Sequence, residues 1–368
     1  MGWQNNDVCA AAGAPPAEFS PAVAAYVFAA QGTQHVIYIG ANDGHLHELW
    51  WDANGWHHDD LTAATGAPIA NQLVPFTGYA FNTQGTQHVI YLGRDDNHIY
   101  ELWWGSDGWQ LNDVTTASGA PVLQEGFGVV GYAFEAQFTQ HIFHGGADNG
   151  GIRELWWDGT DGTWHYDNLP APNVGFSAVP GFGVWAYPFE KQGTQHVIAS
   201  DVNSHLIEQY WDTNGWHIND LTAATGAPNN DGYGPAGYAF EAQGTQHVIS
   251  VDNNFHMYEL WWDSNGWHHD DLSGPSGAPN YSSSSPFVGY AFEAQGTQHV
   301  IYYGTTGLQE LWWDSNGWHD NDLSVATGTP TGGTSSTIAA YAFEAQGTQH
   351  VFYTGSDAHV HELWWSPL

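Results

Sequence analysis

The tripeptide Thr-Gln-His recurs seven times, ending at His35, His88, His141, His196, His247, His299 and His350, at spacings of 53, 53, 55, 51, 52 and 51 residues. Each copy is followed by an ELWW-like segment and then, in the first six, by a Gly-Trp or Thr-Trp step. In the seventh only Ser366-Pro367-Leu368 remain after Trp365. Its missing piece stands at the other end of the chain, as Gly2-Trp3-Gln4-Asn5-Asn6-Asp7-Val8 followed by Ala11-Ala12-Gly13-Ala14-Pro15. A linear stack of repeats has no use for a divided copy. A ring does, because the N-terminal segment then completes the last repeat and ties the circle shut.

One copy shows what each repeat builds. From Gly237, a run to Ala242 is followed by a turn at Gln243-Gly244-Thr245 and a second run, Gln246 to Val251. After Asp252-Asn253-Asn254 come His256 to Trp262, a hairpin at Asp263-Ser264-Asn265-Gly266, and Trp267 to Leu272. Short runs rich in β-branched and aromatic residues, bounded by Gly, Asn, Asp or Ser, are strand signals, and Asn-Gly marks a tight hairpin. Four antiparallel strands per period of about 52 residues fit a propeller blade and not a helical solenoid. The expected fold is therefore all-β: a seven-bladed β-propeller filling residues 1–368 as one domain. Its closing blade joins residues 339–368 to 1–15.

Charge narrows the partners. Arg94, Arg153 and Lys191 are the only Lys and Arg residues against 39 acidic ones, a formal net charge of −36. No basic patch exists to grip a phosphate backbone, so nucleic acid and anionic membranes are excluded. No apolar run is long enough to span a bilayer, so membrane insertion is not expected. Cys9 is the only cysteine, which rules out an internal disulfide; it stands where other repeats carry Thr62 and Thr222, a packing position. The start of the chain carries no basic or hydrophobic leader, so cytosolic synthesis is the expectation, with later release open.

Several columns read as architecture. Tyr26, Tyr79, Tyr132, Tyr187, Tyr238, Tyr290 and Tyr341, each two residues before a Phe, mark an innermost packed strand. The Thr-Gln-His histidines are expected to pair, buried, with the Asp or Asn ending the fourth strand: Asp7, Asp60, Asp113, Asn168, Asp220, Asp271 and Asp322. A second column, His45, His98, His205, His256 and His359, lies three residues before the ELWW glutamate. On a strand that offset points to opposite faces, so no metal site is expected, and no cofactor.

The functional signal is tryptophan. Trp51, Trp104, Trp157, Trp211, Trp262, Trp313 and Trp365 precede the hairpin between strands three and four, and Trp56, Trp109, Trp164, Trp216, Trp267, Trp318 and Trp3 follow it. Amphipathic rings with a polar N–H suit a ligand with one apolar and one hydroxylated face, which describes a sugar. The turn between strands one and two, on the same side of the disc, carries Glu135, Glu190, Glu241, Glu293 and Glu344. Those carboxylates could accept hydroxyl hydrogen bonds beside the Trp pairs. The alternative is Trp as filler between blades and Glu as a solvated turn. An enzyme should break the repeat with one unique charged cluster, and none stands out; a scaffold binding a protein through its disc face remains the other class.

The phrases QGTQHVIY, HELWW, NGWHHDDLTAATGAP and YAFEAQGTQHV resemble the PLL-like lectins of Photorhabdus bacteria, over essentially the whole chain. The resemblance implies a seven-bladed propeller that binds L-fucose and related, sometimes O-methylated, sugars between blades. It also implies fucosylated or O-methylated glycans on glycoproteins or cell surfaces as partners, and homo-oligomerisation. The third repeat departs from the pattern through Phe138 in place of Gly, a longer hairpin at 158–163 and Pro170-Ala171-Pro172 at its end. The fourth reads Glu208-Gln209-Tyr210-Trp211 and carries Pro188 and Lys191, so binding beside these two blades is expected to differ.

Overall fold

The structure is a computed structural model that describes residues 2–18, 23–123, 128–146, 151–170, 183–230, 234–282, 286–328 and 337–367. Seven four-stranded antiparallel sheets form a ring, each running from an innermost first strand to an outermost fourth. Blade five shows the plan, with strands Ala236–Phe240, Thr245–Val251, Met257–Asp263 and Gly266–Asp271. The innermost strands of neighbouring blades touch around the whole circle, including that of blade seven against that of blade one.

Blade seven is the divided one. Three of its strands are Ile338–Phe343, Thr348–Thr354 and Val360–Ser366, and the fourth is Gly2–Asp7, which pairs in register from Gly2 opposite Ser366 to Asp7 opposite His361. That N-terminal strand covers an edge that would otherwise offer open backbone groups. Cys9 completes the same blade. In other blades a hydroxyl accepts the first backbone N–H of the third strand, as Thr62 Oγ1 does from Leu46 at 2.9 Å. Cys9 Sγ does so from Val360 at 3.2 Å, and burial pushes its thiol up to about 11.

The core lies between blades as a series of wedges. Ile37, Ile39 and Leu46 of blade one pack on Val89, Tyr91 and Leu102 of blade two, and corresponding residues fill the other junctions. Each fully buried aliphatic side chain of this kind contributes about 1.5–3 kcal/mol. In blade one the hairpin between strands three and four has a two-residue loop, with Asp52 opposite Gly55 across Ala53-Asn54. Asp52 Oδ1 accepts the Asn54 N–H at 2.8 Å, and Gly55 takes the positive φ of 119° that the exit from such a turn requires.

The segments that follow the fourth strand form short helices, such as Leu61–Thr65. The aspartate ending the fourth strand is the N-cap: Asp60 accepts the Ala63 N–H, and Gly66 closes the helix in the left-handed region at φ 67°. Pro170 of blade three is described; Ala171 and Pro172 lie outside the described residues.

Candidate functional site

Adjacent residues on a strand face opposite sides of the sheet, so the two tryptophans of ELWW belong to different clefts. In blade one, Trp51 lies opposite Gln34 and Trp56, whereas Trp50 lies opposite His35 and His57. A cleft is therefore built from two unlike walls. A cavity of ≈ 280 Å³ between blades seven and one shows the arrangement, with Asn6, Gln346, Thr348, His350, Glu362 and Trp364 from blade seven, and Gln34, Trp51 and Trp56 from blade one. Gln346 lies in the turn between strands one and two, so the cavity sits toward the side of the disc shared by those turns and the hairpins after strand three. Its size is near the lower end for small-ligand pockets, about 300–1,000 Å³, and suits a single ring.

The Trp pairs expected from the sequence form one wall. Trp51 and Trp56, Trp104 and Trp109, Trp157 and Trp164, Trp211 and Trp216, Trp262 and Trp267, Trp313 and Trp318, and Trp365 and Trp3 are direct cross-strand partners. All are half-buried except Trp164, which is buried. The facing wall belongs to the preceding blade and centres on the first ELWW position: Trp50, Trp103, Trp156, Trp261, Trp312 and Trp364, with Tyr210 in blade four. Trp50 stacks on His57 with centroids 4.1 Å apart, and the same stack recurs for Trp156, Trp261 and Trp312 at 4.2 Å. His57 donates to Asp52 at 2.9 Å, and this bond, with the Asn54 N–H, holds Asp52 below the usual carboxylate range. A rigid wall of fixed aromatic faces results.

The floor is the Thr-Gln-His unit, and here the structure corrects the sequence expectation. His35 Nδ1 pairs with Glu48 at 2.8 Å and its Nε2 with Thr33 Oγ1 at 2.7 Å. Thr, His and the ELWW glutamate repeat this arrangement in all seven blades. Asp60 cannot be the partner, because it lies opposite His47, and thus on the other face of the sheet. A carboxylate only accepts, so the proton sits on Nδ1 and Nε2 accepts the threonine hydroxyl. The glutamine between them serves the ring: each first-strand Tyr donates to the Gln of the next blade, from Tyr26 to Gln87 at 2.9 Å round to Tyr341 to Gln34 at 2.8 Å.

Glu135, Glu241, Glu293 and Glu344, expected beside the Trp pairs, are occupied elsewhere. Each accepts two backbone N–H groups from the corresponding turn of the preceding blade: Glu135 from Asn82 and Thr83, Glu241 from Glu190 and Lys191, Glu293 from Glu241 and Ala242, and Glu344 from Glu293 and Ala294. Glu190 does the same to blade three. Burial raises Glu190 and Glu293 above the ordinary carboxylate value. These side chains are latches between blades, and the carboxylate that lines the cavity is instead Glu362 of the ELWW column.

The irregular blades alter their clefts. Phe138 adopts φ 59°, where Gly stands in the other blades, and its ring packs 5.2 Å from Phe81 and 6.2 Å from Trp157. That places an extra aromatic group in the cleft between blades two and three. In the second histidine column, His45, His98, His205 and His359 pair with the capping aspartates Asp60, Asp113, Asp220 and Asp7. Asp43, His45 and Asp60, and also Asp7, Asp357 and His359, bring donor atoms within 4.8 Å of one another. Their carboxylates already cap backbone N–H groups of His45, Ala63, His359 and Ala10.

No family model matches the sequence, and no curated protein matches it. The ring is similar to solved propellers. An Aleuria aurantia lectin mutant bound to α-methyl-L-fucoside superposes with a TM-score of 0.59 at 16% identity, covering 86% of this chain and 99% of that one. AofleA from Arthrobotrys oligospora gives 0.58 at 18%, covering 86% and 88%. The polysaccharide lyase Uly1 gives 0.53 at 7%, covering 90% and 87%. At these identities the likeness establishes the propeller fold.

Proposed function

We propose that this chain is a multivalent lectin that holds L-fucose and related, including O-methylated, sugars in the clefts between its blades. The observation that carries it is the aromatic cavity between blades seven and one, where Trp51, Trp56 and Trp364 surround a polar floor of Asn6, Gln34, Thr348, His350 and Glu362. Aromatic faces take the apolar side of a sugar ring while the floor meets its hydroxyls. The same residue types recur at the other junctions, which fits repeated binding better than turnover at one centre. Support for fucose comes from the likeness of fold to the Aleuria aurantia lectin and from the Photorhabdus-like phrases of the sequence.

Several weak sites on one disc gain avidity of about 10²–10⁴ toward a dense glycan surface on glycoproteins or cells. Cytosolic synthesis followed by release would bring the lectin to such surfaces. Titration calorimetry with L-fucose, O-methyl-fucose and galactose reads affinity and site number together. Saturable heat with more than one site per chain is expected. No heat with any of them, together with a blank glycan array, overturns the proposal and favours a scaffold that binds protein.

A further inference from the structure

The residue before the Asp or Asn that ends the fourth strand is Asn in four blades, at Asn6, Asn112, Asn219 and Asn321, and Asp in three, at Asp59, Asp167 and Asp270. It lies directly opposite the ELWW glutamate, on the wall that carries the first ELWW tryptophan. Its chemistry decides how that wall is wired. Where it is Asn, the amide donates to the second oxygen of the glutamate, as Asn321 does to Glu310 and Asn219 to Glu208 at 2.8 Å, Asn112 to Glu101 at 3.1 Å and Asn6 to Glu362 at 3.4 Å. Where it is Asp, it cannot donate and takes the indole instead, with Trp50 giving its N–H to Asp59 at 2.8 Å, Trp156 to Asp167 at 3.2 Å and Trp261 to Asp270 at 3.1 Å.

The two wirings show a ligand opposite hydrogen-bonding faces. In the Asp clefts the indole is tied, and Glu48 with Asp59, Glu154 with Asp167 and Glu259 with Asp270 leave carboxylate oxygens that only accept. In the Asn clefts the indole is released. Trp312 Nε1 is buried and carries no hydrogen bond, and a buried donor left without an acceptor is destabilising unless something fills the place. Trp364, with the same wiring, lines the cavity beside Asn6 and Glu362. Phe138 occupies part of the third such cleft, packed on Phe81 and Trp157, and blade four has Tyr210 in place of the indole.

We infer that this Asn/Asp position sets sugar selectivity cleft by cleft: the Asn clefts take a sugar presenting an acceptor-only oxygen, such as an O-methylated hydroxyl, to the free indole N–H, and the Asp clefts take free hydroxyls that donate. The inference rests on the interblade sugar sites proposed above. One disc would then carry two selectivities interleaved around its rim.

The test compares L-fucose with its mono-O-methyl ethers, by calorimetry on the full chain, in two variants of opposite sign. Asn6→Asp with Asn321→Asp should lower the preference for the methylated over the free sugar about tenfold, the worth of one hydrogen bond to a charged or released group. Asp59→Asn with Asp167→Asn and Asp270→Asn should raise that preference by a similar factor. Both sets exchange near-isosteric residues that the ring already tolerates at this position, and cooperative thermal unfolding checks each. A preference that stays fixed in both variants, or moves the same way in both, overturns the inference while leaving the lectin proposal standing. Wild-type protein that binds neither probe overturns both.

Discussion

The glutamate latches form an open chain, and closing it is the sharpest test of the role assigned to them. Each latch runs from a turn carboxylate to two N–H groups of the blade before it, as with Glu344 reaching back to Glu293 and Ala294. Asn82 makes a one-bond version to Ala30 at 3.1 Å. Blade one has Ala29 at this position, so the turn of blade seven, at Glu344 and Ala345, receives none. Ala29→Glu should supply it. Buried charge-assisted bonds contribute about 1.5–3 kcal/mol each, but both N–H groups here are exposed, which reduces the pair to about 1 kcal/mol. With about 2.1 cal/mol/K of unfolding entropy per residue over 368 residues, the expected gain in Tm is roughly 1.3 °C. Glu293→Ala removes an existing, half-buried latch and should cost about 1–2 kcal/mol, or roughly 2 °C in the opposite direction. Calorimetric unfolding in 0.15 M salt, where the Debye length is about 8 Å, keeps the added negative charge from masking the gain. Sugar titration of the same proteins completes the test. A Glu293→Ala protein that loses a sugar site without losing Tm would refute the latch, as would an Ala29→Glu protein with no gain.

Other outcomes follow from the same geometry. Tyr238→Phe strips the donor from buried Gln298, 2.9 Å away, and should destabilise by about 1–3 kcal/mol with cooperative unfolding retained; an unchanged denaturation midpoint refutes the ring's contribution. Trp51→Ala with Trp56→Ala should reduce the fitted sugar sites by one, because both line a single cavity, whereas global unfolding would show them to be core. Deleting residues 1–8 removes Trp3 and Asn6, which face different clefts, and should abolish two neighbouring sites rather than one. Acid sensitivity has a defined sign. Burial pushes Asp60 and Asp113 up, but the cap N–H bonds and the His45 and His98 pairs outweigh it and hold both below 3.8. Their stabilisation is full above about pH 5 and is lost as pH falls through the folded values. Glu190 and Glu293, raised by burial, act oppositely, so part of each latch's stabilisation is lost as pH rises through values above 4.5. A Tm that climbs steadily as pH is lowered from 5 to 2.5 refutes the cap pairing.

The ring, the blades and the divided seventh repeat were legible because each rests on local pattern: TQH spacing, alternating strands and a missing Trp step. The short helices were legible too, and missed. Asp60 followed by Leu-Thr-Ala-Ala-Thr and Gly66 is an N-cap and C-cap signature, although five residues are too few to show helical periodicity. The His partner was not legible: an acid or amide recurs at the end of every fourth strand and offers a matching column, but strand register places Asp60 on the other face and Glu48 on the face of His35. Tryptophan density pointed to the cleft, while its second wall stayed hidden: Trp50 and Trp51 are neighbours in sequence yet look into different clefts. The latches could not be read at all. A glutamate bonding to a turn about 50 residues earlier depends on the spacing between blades, which no single repeat encodes.

The Tyr-to-Gln bonds, unlike the latches, close completely, and all seven run in the same rotational sense, with the donor on one blade and the acceptor on the next. Every junction therefore speaks the same grammar, and any blade can follow any other. Nothing in that grammar counts to seven. The number is left to the wedge packing between blades, so gain or loss of a whole repeat leaves every bond type intact and changes only the width of the circle.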